Sequence, residues 1–184
     1  MMKLAQKHYV PKFIMRSKDS GTLRIIDLWK FRSEKSNKWY IVEVEHFASH
    51  FYGLKFYWKG VAESRDRYSL LTNDYEPRTI VLSCIAVMLQ YYQSDAKASF
   101  GFVGAHDLIE KAFEDSPNKR FRFYRRMMLT FLSNDKFLQM KDVKNSMYLI
   151  VNKKMLESGR VSLSQIETEI SNLYVGEYSF VLEP

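Results

Sequence analysis

PRTIVLSCIAVMLQYYQ (Pro77–Gln93) is the stretch on which the architecture turns. Proline suits the first position of a helix, because its missing N–H would be unsatisfied there and its φ is already helical. Behind it Ile80, Val81, Cys84, Ile85, Met88 and Tyr92 fall on one side of a helical period, and Leu82, Val87, Leu89 and Tyr91 continue around the rest. A helix apolar nearly all round must be covered on most of its circumference. The run Thr79–Leu89 is far shorter than the roughly 20 residues that cross a bilayer. The reading is therefore a buried helix inside a globular domain, and no membrane partner is expected.

The upstream sequence supplies the cover. Residues 9–16, Thr22–Arg32, Lys38–Phe47 and Phe51–Lys59 read as four strands separated by polar breaks. The third has the clearest period of two, with Tyr40, Val42 and Val44 facing one way and Ile41, Glu43 and Glu45 the other. Short spacing and polar turns predict an antiparallel meander wrapped on the helix. Asp66–Glu76 reads as a loop.

Downstream, Ser99–Val103 reads as a strand beside the meander, ended by Gly104. His106–Phe113 reads as two helical turns, and Ser116-Pro117 as the cap and first residue of a helix running to about Leu132. Phe137–Met140 and Ser146–Asn152 read as strands. Ser162 and Gln165 form a capping-box pattern that opens a last helix with Ile166, Ile170 and Leu173 on its apolar side. Tyr174–Pro184 is read as a strand or a loose arm. The expected fold is α+β: an antiparallel meander on a buried helix, completed by a basic helix and a C-terminal helix. Residues 1–154 are read as the core domain, with 155–184 as a C-terminal helix and acidic tail packed on it.

Composition narrows the class. The 184 residues are 46% hydrophobic, 27% charged and 15% aromatic, with few Gly and Pro, so a packed core rather than disorder is expected. Cys84 is the one cysteine, so no internal disulfide forms and a reducing cytoplasm is the expected compartment. Met1–His8 lacks the apolar core of a signal peptide. The net charge of +7 is uneven. Lys3, Lys7, Lys12, Arg16 and Lys18 open the chain without an acid, whereas Glu157, Glu167, Glu169, Glu177 and Glu183 close it against Arg160 alone. Such polarity steers an anionic partner or joins two copies, basic face to acidic tail.

The run Lys119-Arg120-Phe121-Arg122-Phe123-Tyr124-Arg125-Arg126 places five cations and three aromatics in eight positions with no acid. At about 100° per residue, Lys119, Arg122 and Arg126 share one helix face, with Arg125 at its margin. Phe121, Tyr124, Met128 and Phe131 or Leu132 form a second stripe that packs inward, and Arg120 lies toward that side near Tyr124. Guanidinium forks hold phosphate oxygens bidentately, so Lys119, Arg120, Arg122, Arg125 and Arg126 are the candidate anion-binding set, with Tyr124 orienting the helix. The plainer alternative is a solvated face paired with Glu110, Glu114 or Asp115.

Phe102-Val103-Gly104 followed by Arg120-Phe121-Arg122-Phe123-Tyr124-Arg125 resembles an uncharacterised family of small bacterial proteins with a β-meander, a buried helix, a strand ending in aromatic-x-Gly, and a helix opened by Arg-x-Arg-x-Tyr-Arg. The resemblance covers roughly residues 9–152 and implies the same order of elements and a role for Arg120, Arg122, Tyr124 and Arg125. That family carries no assigned activity. Ala105-His106 stands where the family has Ser-Thr, and some fourteen residues intervene before the arginines.

Two other groups carry potential chemistry. Glu43, Glu45, His46 and His50 invite a metal reading, but the segment begins as a strand and lacks the His-Glu-x-x-His order, so turn histidines are the competing reading and no metal is assigned. Phe51, Tyr52, Phe56, Tyr57 and Trp58 beside Lys55, Lys59, Arg65 and Arg67 suit either a core face or a platform for stacked bases. Gly-rich phosphate loops, Cys-x-x-Cys pairs, a Gly-x-Ser-x-Gly elbow and a deaminase pattern are absent from the sequence. The reading leans away from an enzyme and expects no cofactor. It expects a binding protein for nucleic acid or another anionic partner; a place in bacterial or phage conflict systems is what the resemblance implies. The alternatives are an interaction or homo-oligomer module meeting an acidic protein surface, and a nuclease-like toxin using Arg120, Arg122 and His106.

Overall fold

The structure is a computed structural model, and it describes residues 6–18, 24–48, 50–70, 74–103, 119–157, 159, 162–173 and 178–183. Among them lie β1 (Lys12–Lys18), β2 (Ile25–Arg32), β3 (Trp39–His46), β4 (Phe51–Trp58), α1 (Pro77–Ser94), β5 (Ser99–Val103), α2 (Lys119–Phe131), β6 (Phe137–Asp142), β7 (Met147–Asn152), α3 (Lys153–Glu157), α4 (Leu163–Leu173) and β8 (Val181–Leu182). The strands form one eight-stranded sheet in the order β1-β2-β3-β4-β5-β7-β6-β8. The fold is α+β. The expected helix at His106–Phe113, Gly104, and the Ser116-Pro117 start of the basic helix lie outside the described residues.

β1 to β4 are the expected meander, each strand antiparallel to the next. The sheet as a whole is mixed, because β5 runs parallel to β4, with Phe51 opposite Ser99 and Leu54 opposite Phe102. Parallel neighbours need a long crossover, and here α1 lies in the connection. β7 then pairs antiparallel with both β5 and β6.

The period of two divides the sheet into a front and a back. Phe31, Tyr40, Val42 and Val44 share the front core with Ile80, Val81, Ile85 and Met88 of α1 and with Phe121 and Met128 of α2. Every residue of α1 from Ile80 to Leu89 is buried, which accounts for its apolar circumference. Asp95 ends the helix: its N–H bonds to the Tyr91 carbonyl, and its carboxylate accepts from Tyr52 and lies 2.8 Å from His50 Nδ1. On the back, Phe51, Met140, Leu149 and Val151 pack with Met155 of α3 and with Ile166 and Ile170 of α4. Gly101 sits where strands approach closely, since a Cβ there would meet Phe51 Cζ at 2.7 Å and Leu149 Cδ2 at 3.1 Å. β1 is an edge strand with exposed Phe13, Ile14 and Met15. Lys12, Arg16 and Lys18 stand on the same strand, the kind of charge that discourages edge-to-edge pairing. Among the described residues, no helix is long and apolar enough to cross a membrane.

Candidate functional site

Among the described residues β4 pairs with β5 over Phe51–Leu54, and Phe56, Tyr57 and Trp58 farther along β4 turn to a cavity. In sheets with parallel strands, ligands gather beyond the carboxyl ends, where connections diverge. Three segments converge here: the return from β4, the first turns of α1, and the start of α2.

The return is pinned down by a buried acid. Glu43, on the back of β3, accepts a hydrogen bond from the Tyr68 hydroxyl. Arg67 Nη2 donates to the same hydroxyl at 3.0 Å, lies 3.6 Å from the Glu43 carboxylate, and places its guanidinium over the rings of Tyr57 and Tyr68. Removing the charge should leave the Tyr68–Arg67 pair without its anchor. Glu43→Gln is expected to cost about 1–3 kcal/mol. It would be seen as a lower urea midpoint and faster exchange of the amides in 62–70; an unaltered midpoint would contradict the pinning.

Between these segments lies a cavity of about 410 Å³. Its walls include Phe56, Trp58, Tyr68, Phe123 and Tyr124, with Ile80 and Val81 of α1 behind them. Lys119, Arg120 and Arg67 supply positive charge, and Asp74 and Glu76 are the acids among the lining residues. Both acids are already engaged: Asp74 accepts from Lys38 and Tyr40, Glu76 from Tyr9 and Ser33. A smaller cavity of about 250 Å³ shares Phe56, Tyr68, Val81 and Tyr124 and reaches Cys84. Burial pushes the Cys84 thiol up, out of the range of a thiolate nucleophile. Burial likewise raises the Tyr124 hydroxyl, which stays protonated.

The structure sorts the five cations of the basic run. Lys119, Arg122 and Arg126 are exposed on one face of α2. The guanidinium groups of Arg122 and Arg126 have no hydrogen bond or ion pair to any described residue; Glu110, Glu114 and Asp115 lie outside the described residues. Arg120 turns inward and donates to the carbonyls of Tyr68 and Ser69, the latter at 2.6 Å, so it ties α2 to the return from β4. Arg125 forms a bidentate pair with Glu183. Tyr124 packs against Phe56 and Phe102. The expected anion-binding set therefore divides into an outward row and two arginines with internal partners.

The Glu/His group is split by the same alternation. Glu43 and Glu45 lie on the back, where Glu45 meets Lys55 and Arg24. His46 points to the front, with Nε2 2.8 Å from Asp27, and His50 pairs with Asp95. Of the meander aromatics, Phe51 is back core, Tyr52 packs on the front core, and Phe56, Tyr57 and Trp58 line the cavity. His106 lies outside the described residues.

Arg67 is read from the sequence beside the meander aromatics, but its neighbours in the cavity Tyr68, Tyr75 and Phe123 are not read there as site residues. Tyr68 and Tyr75 belong to a loop, where no hydrophobic period marks a facing side, and Phe123 falls between the exposed and buried stripes of α2. The chain matches no protein-family model, curated protein or solved structure.

Proposed function

We propose that this protein is a non-enzymatic binder of single-stranded nucleic acid, held by phosphate contacts along the outer face of α2. The observation that carries the reading is the row Lys119, Arg122 and Arg126. Its two arginines are exposed one turn apart, and their guanidinium groups have no partner among the described residues. Like charges at that spacing repel by a few tenths of a kcal/mol, roughly 0.2–0.5. A polyanion would remove that cost. The row spans about 10 Å, the length of seven helical residues, which suits a few phosphates rather than a long duplex contact. The adjoining aromatic walls fit a single strand, whose bases are free to stack on side chains.

The test is binding of fluorescent oligonucleotides across a salt series. Three phosphate contacts on a single strand give a log–log salt slope of about −2. Arg122→Ala/Arg126→Ala should reduce the slope to about −0.7 and weaken binding at least tenfold at low salt. Equal binding by wild type and double variant, or binding insensitive to salt, would remove the reading.

A further inference from the structure

Resting on the nucleic-acid reading above, we infer that the cavity between the end of β4, the start of α1 and the start of α2 takes one unstacked nucleobase of the nucleic acid carried on α2. The volume, about 410 Å³, lies within the roughly 300–1,000 Å³ of small-molecule sites. Its walls offer several aromatic faces, and Lys119 belongs both to the cavity rim and to the outward row. A strand following the row thus passes the opening without changing course.

The polar groups indicate which part of a nucleotide enters. Of the lining cations Arg120 is engaged by the Tyr68 and Ser69 carbonyls, and a phosphate inside would also meet the acidic side chains Asp74 and Glu76. A neutral base has no charge for them to repel, and its phosphate would remain outside near Lys119. Two donors are left to read the base. Arg67 Nε is buried without a hydrogen-bond partner, and burial keeps the neighbouring Tyr124 hydroxyl protonated and able to donate. Both residues line the cavity. Buried polar groups ordinarily find partners, and the ring nitrogens and carbonyls of a base would provide them.

Tyr75 adds an independent sign at the rim. It lines the cavity, yet 89% of its surface is exposed. Its φ of 51° is left-handed, a conformation that an aromatic residue adopts at a cost of order 1 kcal/mol or more. Burial does not repay that cost. A ring presented outward beside the opening would instead stack on the base next to the inserted one.

The experiment compares oligothymidylate and oligouridylate with a fully abasic deoxyribose-phosphate strand of equal length, using wild type, Tyr75→Ala and Tyr124→Phe. Both substitutions spare the core: the first truncates an exposed ring and the second removes a single oxygen. Circular dichroism checks that each variant is folded. The abasic strand and the Tyr75→Ala protein should each bind about tenfold more weakly than the parent pair, with the salt slope unchanged, since stacking carries no counterion term. Tyr124→Phe should weaken binding of the base-containing strands and leave the abasic strand unaffected. If the abasic strand binds as tightly as its parents, and both variants bind like wild type, the base site is wrong while phosphate binding on α2 stands. If no strand binds at all, both fall together.

Discussion

Asp27→Asn is expected to lower stability by about 2–3 kcal/mol near neutral pH. Asp27 is 2% exposed at the centre of a cluster assembled from four elements. Arg16 of β1 grips it through Nε at 2.7 Å and Nη2 at 2.9 Å. Tyr91 of α1 donates its hydroxyl to Oδ2 at 2.7 Å, and His46 of β3 lies at 2.8 Å. Trp29 Nε1 donates to the Tyr91 hydroxyl at 3.0 Å, extending the cluster into the aromatic core. Burial alone would raise the carboxyl; the hydrogen bonds from Arg16, Tyr91 and His46 outweigh it and hold it at about 2. For a carboxyl depressed on folding, the stabilisation is complete above its unfolded value near 3.8 and disappears as pH falls through its folded value. The wild type should therefore exceed Asp27→Asn at neutral pH, and the gap should close between about pH 4 and pH 2. At about 2–4 °C per kcal/mol for a chain of this size, the neutral-pH Tm should drop by roughly 5–10 °C. A gap of the same size in acid as at neutrality would mean that the charge of Asp27 contributes nothing.

The second large effect is expected at the C-terminal strap. β8 has two residues, both side chains are exposed, and its ladder to β6 pairs only Val181 with Lys141 and Leu182 with Met140. So short a strand gains little from apolar burial. Glu183 holds it instead: the carboxylate is 1% exposed, meets Arg125 in a bidentate pair and Lys141 Nζ at 3.1 Å, and its N–H donates to the Gln139 carbonyl at 2.9 Å. Burial would raise this carboxyl, but Arg125 and Lys141 bring it below the ordinary glutamate value. The clamp is thus in place above that ordinary value and releases as pH falls through the lower, folded one. Glu183→Gln is expected to cost about 2 kcal/mol, with faster amide exchange in 181–183. It should also free Arg125 at the margin of the row Lys119, Arg122 and Arg126. On the proposed function, the salt slope for a single strand then steepens by about 0.7. Unchanged exchange in the strap would show that the ladder alone holds it.

Much of this architecture is local and was legible in the chain. The burial of α1 follows from apolar residues on every side of a helical period. The facing of Tyr40, Val42 and Val44 against Glu43 and Glu45 follows from the alternation of a strand. Ser162 and Gln165 make both capping-box bonds, Ser162 N–H to Gln165 Oε1 at 2.7 Å and Gln165 N–H to Ser162 Oγ at 3.2 Å. The outward position of Lys119, Arg122 and Arg126 is set by about 100° per residue. The one-turn α3 went unread, because its five residues follow β7 directly and are too few to display a period.

Contacts between residues distant in sequence were decided by the tertiary structure alone. Nothing in the run Lys119–Arg126 distinguishes Arg120 from Arg122. The first is taken by carbonyls of a loop 52 and 51 residues earlier. Arg125 is taken by an acid 58 residues later. Asp27 gains Tyr91 across 64 residues because the crossover lays α1 on the front of the meander. That crossover also sets β5 parallel to β4, and the last residues of β4 wall a cavity. Periodicity specifies which face of an element turns inward. Which groups meet there depends on how strands and helices are ordered in space, and a pattern of period two or 3.6 carries no information about that order.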